Sequence, residues 1–265
     1  LTMDIDLNAD LAEGYGPWRM GDDTALLDVL SSANLACGFH AGDPLIMQRT
    51  VELAMARGVD IGAHVGFPDR QGFGRRVMQI DITELAAIVT YQLGALDGIC
   101  RSCGARMTHM SFHGALGNMV AADHALAAAL VRAVAAFDPK LILLTSASRA
   151  MEAAARDCGL RAASTFLADR AYDDDGLLVS RKLAGSVIHD RAHVLERVKR
   201  ILRQGEIVTH SGNSLEMRPA SILLHGDTDG AVDLARAIRE EVVASGASIV
   251  PISQQGCRWD GHART

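Results

Sequence analysis

Short apolar blocks alternate with amphipathic stretches of helical period along the whole chain. The first block, 3–7, alternates as a strand and runs into Asp6, Asn8, Asp10 and Glu13, an acidic mouth followed by Gly14 and Gly16. Further strands are predicted over 32–37, 59–63, 106–112, 141–145, 160–166, 221–224 and 248–252. Helices are predicted over 21–30, 44–57, 81–103, 121–137, 147–158, 191–203 and 229–245, and an extended excursion or hairpin over 177–188. The second helix carries the clearest signals. Asp43 is placed to cap it, Pro44 occupies the first turn, where a missing N–H costs nothing, and Gly58 ends it. Strands alternating with helices imply a parallel sheet with helices outside. Seven or eight such units predict an α/β fold closed as a (β/α) barrel with seven or eight mostly parallel strands, an open or distorted barrel being the competing form. One domain is expected over 1–253, with a polar tail over 254–265 in which His262 is a weak site candidate.

Four of the predicted strands end alike. Asn34 to Pro44 contains Cys37-Gly38-Phe39-His40-Ala41-Gly42, and the other three run into His64, His113 and His225, each followed by small residues. Polar groups at the carboxyl ends of buried strands are where α/β enzymes keep their chemistry. Four strand-end imidazoles therefore point to one site. With Asp6 and Asn8 they could hold a divalent metal, whose bound water would have a pKa near 7, or move protons as an Asp–His pair. The metal candidates are Asp6, His40, His64, His113 and His225; no HxxxH or HxH spacing decides between metal and acid–base chemistry. The loop over 66–76, with three glycines and the adjacent Arg75 and Arg76, reads as mobile and suited to holding an anion.

Composition narrows the classes. Of 265 residues 49% are hydrophobic and only 4% aromatic, so the core is aliphatic. The net charge of −6 and the lack of a basic stripe argue against nucleic acid as a partner. No apolar run reaches the length of a membrane span and no secretion signal is visible, which predicts a cytoplasmic protein away from the membrane. Five cysteines make no even disulfide framework, and Cys100 and Cys103 lack the second pair a zinc site needs. Cys37, beside the histidine cluster, reads as a small core residue. GxSxG, GxxxxGK[ST] and GxGxxG are all absent, so neither a serine-hydrolase elbow nor a nucleotide cradle is present in the sequence.

Longer motifs connect these segments: Asp6-Leu7-Asn8 with Asp10-Leu11 and Glu13-Gly14; Ser32 through Pro44; Gly62-Ala63-His64 with Pro68-Asp69; and Gly72-Phe73-Gly74-Arg75-Arg76. They continue through Tyr91-Gln92 with Gly94-Ala95-Leu96, His113-Gly114-Ala115-Leu116 with Asn118, Ala168-Asp169-Arg170 with Tyr172, then Arg181 and His225-Gly226-Asp227. Collinear over about 3–252, the set resembles the LamB/YcsF family, described as the A subunits of bacterial 5-oxoprolinase. The resemblance implies a distorted (β/α) barrel similar to sugar deacetylase folds and ATP-dependent opening of the 5-oxoproline lactam to glutamate. It also implies 5-oxoprolinase subunits B and C as partners, through which ATP would be bound or used. On the matching positions it points to Asp6, His40, Asp43, His64 and His113 as catalytic. Asn8, Arg75, Arg76, Asn118, Asp169, Arg170, Arg181, His225 and Asp227 would bind substrate.

The sequence departs from the family pattern at one strand end. Ser111, Phe112 and Gly117 stand where the family reads lysine, proline and tyrosine, and Val65 and Leu167 are smaller departures. Arg149 and Arg181 are candidate replacements for the missing cation. Two alternatives stay open: a metal-dependent deacetylase or amidohydrolase acting alone, and a diverged, non-catalytic ligand-binding protein. Each is compatible with a homo-oligomer.

Overall fold

Alternation along the first strand sets the plan of the molecule. Ile5, Leu7, Ala9 and Leu11 face the helices and join the aliphatic core, whereas Asp6, Asn8 and Asp10 face the barrel axis. The architecture comes from a computed structural model that describes residues 3–228 and 230–255. In chain order its elements are β1 (Asp4–Leu11), α1 (Asp23–Leu27), β2 (Ser32–Ala36), α2 (Pro44–Arg57), β3 (Asp60–Val65) and α3 (Ile82–Ser102). Then come β4 (Met107–Phe112), α4 (Gly114–Ala122), α5 (His124–Phe137), β5 (Ile142–Thr145), α6 (Arg149–Asp157) and β6 (Arg161–Leu167). The last are α7 (Arg191–Gln204), β7 (Glu206–Val208), β8 (Ser214–Glu216), β9 (Ser221–His225), α8 (Ala231–Ala244) and β10 (Ser248–Ile249).

Strands β1-β2-β3-β4-β5-β6-β9 pair in parallel, and β9 returns to β1, closing a seven-stranded barrel. β10 lies parallel to the first residues of β1, and a 3₁₀ turn over Ile252–Gln254 follows it. This turn seals the amino-terminal end of the barrel: the Ile252 N–H donates to Ser32 Oγ (3.3 Å) and the Ser253 N–H to Asp60 Oδ2 (2.8 Å). Gln255 is also buried and donates to the Ala220 carbonyl, so packed structure continues past the expected boundary at 253. Most of the tail, including His262, and the expected helix start at 229 lie outside the described residues.

Three elements differ from expectation. The helix expected over 121–137 is α5, started at Asp123, whose carboxylate accepts from the N–H groups of Ala125 and Leu126, and an additional helix, α4, precedes it at a bend of 116°. Residues 206–216 form the antiparallel hairpin β7–β8, which the sequence pattern did not suggest. The 177–188 excursion is irregular, with isolated bridges from Tyr172 to Leu178 and from Arg170 to Val187. No single helix among the described residues is long and apolar enough to cross a membrane.

The barrel interior is polar in layers, unlike the branched aliphatic filling usual in parallel barrels. At the amino-terminal end the Asp6 carboxylate accepts from the hydroxyls of Ser31 (2.7 Å) and Ser221 (2.6 Å). In the middle Asn34 Oδ1 accepts from Asn8 Nδ2 (3.4 Å) and His109 Nε2 (3.1 Å), while Asn34 Nδ2 donates to Asp10 (2.9 Å). His109 reaches the axis only because its neighbour on β3 is Gly62: a Cβ there would lie 2.1 Å from the imidazole. Burial pushes the His109 pKa down to about 3, so the ring is neutral.

Candidate active site

The carboxyl ends of the strands converge on a cavity of about 490 Å³, of the size that holds a small ligand. It is lined by Asp10, His64, Ser111 and His113, by Arg75, Arg170, Arg181 and Lys182, and by Asn118 and His225, with Asp10 and His225 register partners on the neighbouring strands β1 and β9. His64 and His113 belong to a buried cluster with Glu13 and His40. Ala12, with φ of 59°, turns the chain sharply after β1 and brings Glu13 back over the barrel end.

Each ring in this cluster is held in place by a neighbour. The His113 Nε2–H donates to the Phe73 carbonyl (2.7 Å), which leaves Nδ1 facing His64 Nε2 at 3.0 Å and Glu13 Oε1 at 3.6 Å. His64 Nδ1 is hydrogen-bonded to Ser111 Oγ (2.7 Å), and His64 Nε2 lies 3.4 Å from Asp10 Oδ2. His40 stacks flat on His113, with ring centroids 3.8 Å apart, and its Nε2 meets Glu13 Oε1 at 3.2 Å. The 66–76 loop supplies Phe73, and instead of a free surface segment it is pinned against the cluster. The Gly74 carbonyl accepts from the Ala115 N–H, and a Cβ on Gly74 would come within 2.8 Å of both His40 and His113.

Burial, and then the neighbouring charged groups, hold His40 and His113 well below the usual imidazole pKa, so both are neutral. Burial, followed by the charge of Asp10, pushes Glu13 well above the usual carboxylate range. Asp10 goes the other way: burial opposes its charge, but His64 and the Asn34 hydrogen bond outweigh it and keep the carboxyl ionised. On β9, next to Asp10, His225 Nδ1–H points between both oxygens of Asp169 (2.8 and 2.9 Å). Burial and Arg181, whose Nη2 is 3.2 Å from His225 Nε2, work against a charge on this ring, yet Asp169 prevails and raises its pKa.

The structure thus brings together His64, His113, Arg75, Asn118, Arg170, Arg181 and His225 around one cavity, with His40 directly behind. Asp169 and Asp227 act through others: Asp169 orients His225, and Asp227 accepts from Arg75 Nη2 (2.8 Å). Four expected residues are elsewhere. Asp6 lies at the opposite, sealed end, because β1 continues to Leu11. Asn8 is spent on Asn34 in the barrel middle. Asp43 caps α2, accepting from Leu45, Ile46 and Gly16 N–H groups. Arg76 turns outward to pair with Asp69. Of the two proposed replacement cations Arg181 lines the cavity, and Arg149 is exposed at the start of α6. Cys37 is buried in the core, its thiol pushed up to about 12, and Cys100 and Cys103 are free thiols. Asn34 and His109 were missed as site residues, and Asp10 and Glu13 were read only as part of the acidic mouth.

Fold and site define a seven-stranded parallel (β/α) barrel with a carboxylate–imidazole centre at the carboxyl ends of its strands. The model of the LamB/YcsF family matches residues 5–256, and the chain belongs to that family. It is 68% identical over 253 residues to the 5-oxoprolinase A subunit numbered 2 of Ralstonia nicotianae, covering 96% of this chain and 97% of the relative. To the 5-oxoprolinase A subunit numbered 1 of Pseudomonas syringae pv. tomato it is 60% identical, with 95% and 98% covered. Among solved structures, a lactam utilization protein from Thermus thermophilus superimposes with a TM-score of 0.87 at 39% identity, with 94% and 99% covered. A putative cellobiose-phosphate cleavage protein from Enterococcus faecalis, at TM-score 0.59 and 12% identity (95% and 98% covered), shares the fold alone.

Proposed function

We propose that this chain is the lactam-handling component of an ATP-dependent hydrolase that opens 5-oxoproline to glutamate, working with partner subunits B and C. The relatives named as A subunits of 5-oxoprolinase, and the similar lactam utilization protein, support the substrate class. The observation that carries the reading is a single cavity lined both by acid–base groups and by cations. 5-Oxoproline has the matching two ends, a carboxylate and a cyclic amide. Arg181 and Arg170 would hold the carboxylate, and burial lowers the Arg170 pKa to about 10 without discharging it at neutral pH. Thr165 lines the same cavity with a buried hydroxyl that makes no hydrogen bond among the described residues, which leaves it free for a ligand.

A lactam carbonyl is a weak electrophile. Phosphorylation of its oxygen by ATP, carried out with the partner subunits, activates the ring carbon; once water adds there, the ring C–N bond breaks with the nitrogen taking up a proton, and the acyl phosphate left behind hydrolyses to glutamate and phosphate. Asp10, with His64 beside it, is the ionised carboxylate facing the cavity and would orient water toward the ring carbon. The cavity cations Arg75, Arg181 and Lys182 would stand in for the lysine absent at Ser111. The test is glutamate release from 5-oxoproline by this chain with its partner subunits and ATP. Release that needs ATP and falls by about 10²–10⁴ in His113→Ala supports the reading. No release with competent partners would sink it.

A further inference from the structure

We infer that Glu13, His40, His64 and His113 form a binding site for a single divalent transition-metal ion, with zinc the best match. One ligand-type atom from each residue lies within 4.8 Å of all the others. Bonds of about 2.0–2.1 Å to a tetrahedral zinc separate adjacent ligand atoms by about 3.3–3.4 Å. The separations here, 3.0 Å for His113 Nδ1 to His64 Nε2, 3.2 Å for His40 Nε2 to Glu13 Oε1 and 3.6 Å for His113 Nδ1 to Glu13 Oε1, bracket that edge.

The far-side hydrogen bonds point the same way. Metal-bound imidazoles are characteristically held through their other nitrogen by a carbonyl, carboxylate or other oxygen. His113 donates its Nε2–H to the Phe73 carbonyl, which can only accept, so its Nδ1 lone pair faces inward. Ser111 engages His64 Nδ1, leaving Nε2 inward. Three imidazoles with one carboxylate suit zinc better than magnesium or calcium, which favour oxygen shells.

Charge leads to the same site. Glu13 and Asp10 are two buried carboxyl groups, and none of the cavity's guanidinium groups contacts either of them through a hydrogen bond or ion pair among the described residues. A cation among the four ligands would compensate both, and His40, whose ring lies parallel to that of His113 at 3.8 Å, would tilt to direct its lone pair at the ion. His64 and His113 also line the cavity, so an ion held there is reachable by a ligand from that side. The rival explanation is a proton shared between His64 Nε2 and His113 Nδ1.

Metal binding here does not depend on the lactam reading, and its test needs no turnover. Untagged full-length chain, purified without chelator, is assayed for metal by mass spectrometry, then stripped and titrated with Co²⁺, whose visible absorption reports its ligand field. The expected result is about one ion per chain, displaced by Zn²⁺, with a tetrahedral-type cobalt spectrum. Glu13→Gln and His113→Ala, checked for folding by circular dichroism, should lose the spectrum. Ser111→Ala keeps all four ligands and should retain the spectrum with affinity about 10–100-fold weaker. A wild-type chain that neither carries metal nor gives the spectrum overturns the inference. So does unchanged affinity in Glu13→Gln.

Discussion

Asp6→Asn separates the sealed end of the barrel from the mouth more cleanly than any other single change. Asp6 is fully buried, and burial outweighs the hydroxyls of Ser221, Ser32 and Ser31 to raise its pKa from 3.8 to about 6. At about 1.36 kcal/mol for each tenfold change in proton affinity, that difference corresponds to about 3 kcal/mol. The sign follows from proton counts. Between about pH 4 and 6 the folded chain holds a proton that the unfolded chain has released, so this residue's contribution to stability falls as pH rises through that window. An asparagine has the same shape, can still accept from one serine, and carries no charge to desolvate. The difference in unfolding free energy, mutant minus wild type, should therefore grow by about 3 kcal/mol from pH 4 to pH 7, read by urea unfolding at each pH. Subtracting the two profiles removes the other titrating groups. Glutamate release by the assembled enzyme should change little, because Asp6 is near the far end of β1. A pH-independent difference would refute the desolvation argument, and a loss of turnover without a loss of stability would return Asp6 to the site.

Other consequences follow from the same geometry. Gly62→Ala places a methyl 2.1 Å from the His109 ring, so urea unfolding should show a loss of about 1–3 kcal/mol, and the His109–Asn34–Asp10 chain should be disturbed enough to lower turnover. Arg181→Ala removes a cation expected to hold the substrate carboxylate; KM should rise by about 10–100-fold, the equivalent of about 1.5–3 kcal/mol, with a smaller change in kcat. The Asp169–His225 pair stabilises the fold fully below the ordinary imidazole pKa of 6.5, and this contribution fades as pH rises through the raised folded value. In Asp169→Asn the His225 titration, followed by NMR, should move to lower pH.

Much of the barrel was legible because its strands and helices carry different periods and its helices carry explicit caps. Asp43, Pro44 and Gly58 mark both ends of Pro44–Arg57 to the residue. The convergence of His64, His113 and His225 was legible too, since each closes an apolar strand. Depth along a strand was not. Asp6, Asn8 and Asp10 share one face, but at about 3.3 Å per residue Asp6 and Asp10 are about 13 Å apart, and only knowledge of where β1 ends tells which one reaches the mouth. Glu13 depended on the backbone reversal at Ala12, a residue with no turn signal. Arg75 and Arg76 are adjacent in sequence and indistinguishable there; the partners Asp227 and Asp69 send one inward and the other out. The extra helix α4 was hidden because Asp123 interrupts a long apolar run with a cap whose role emerges only once the bend exists.

Where the substrate itself sits, in a crystal of this chain soaked with 5-oxoproline, decides whether the mouth of the barrel is the site of lactam chemistry. The expected result is the ring in the mouth cavity, its carboxylate on Arg181 or Arg170 and its lactam carbonyl facing Asp10, His64 and His113. Ordered 5-oxoproline bound outside that cavity, or a lactam held with its carboxylate toward the histidines, would contradict it.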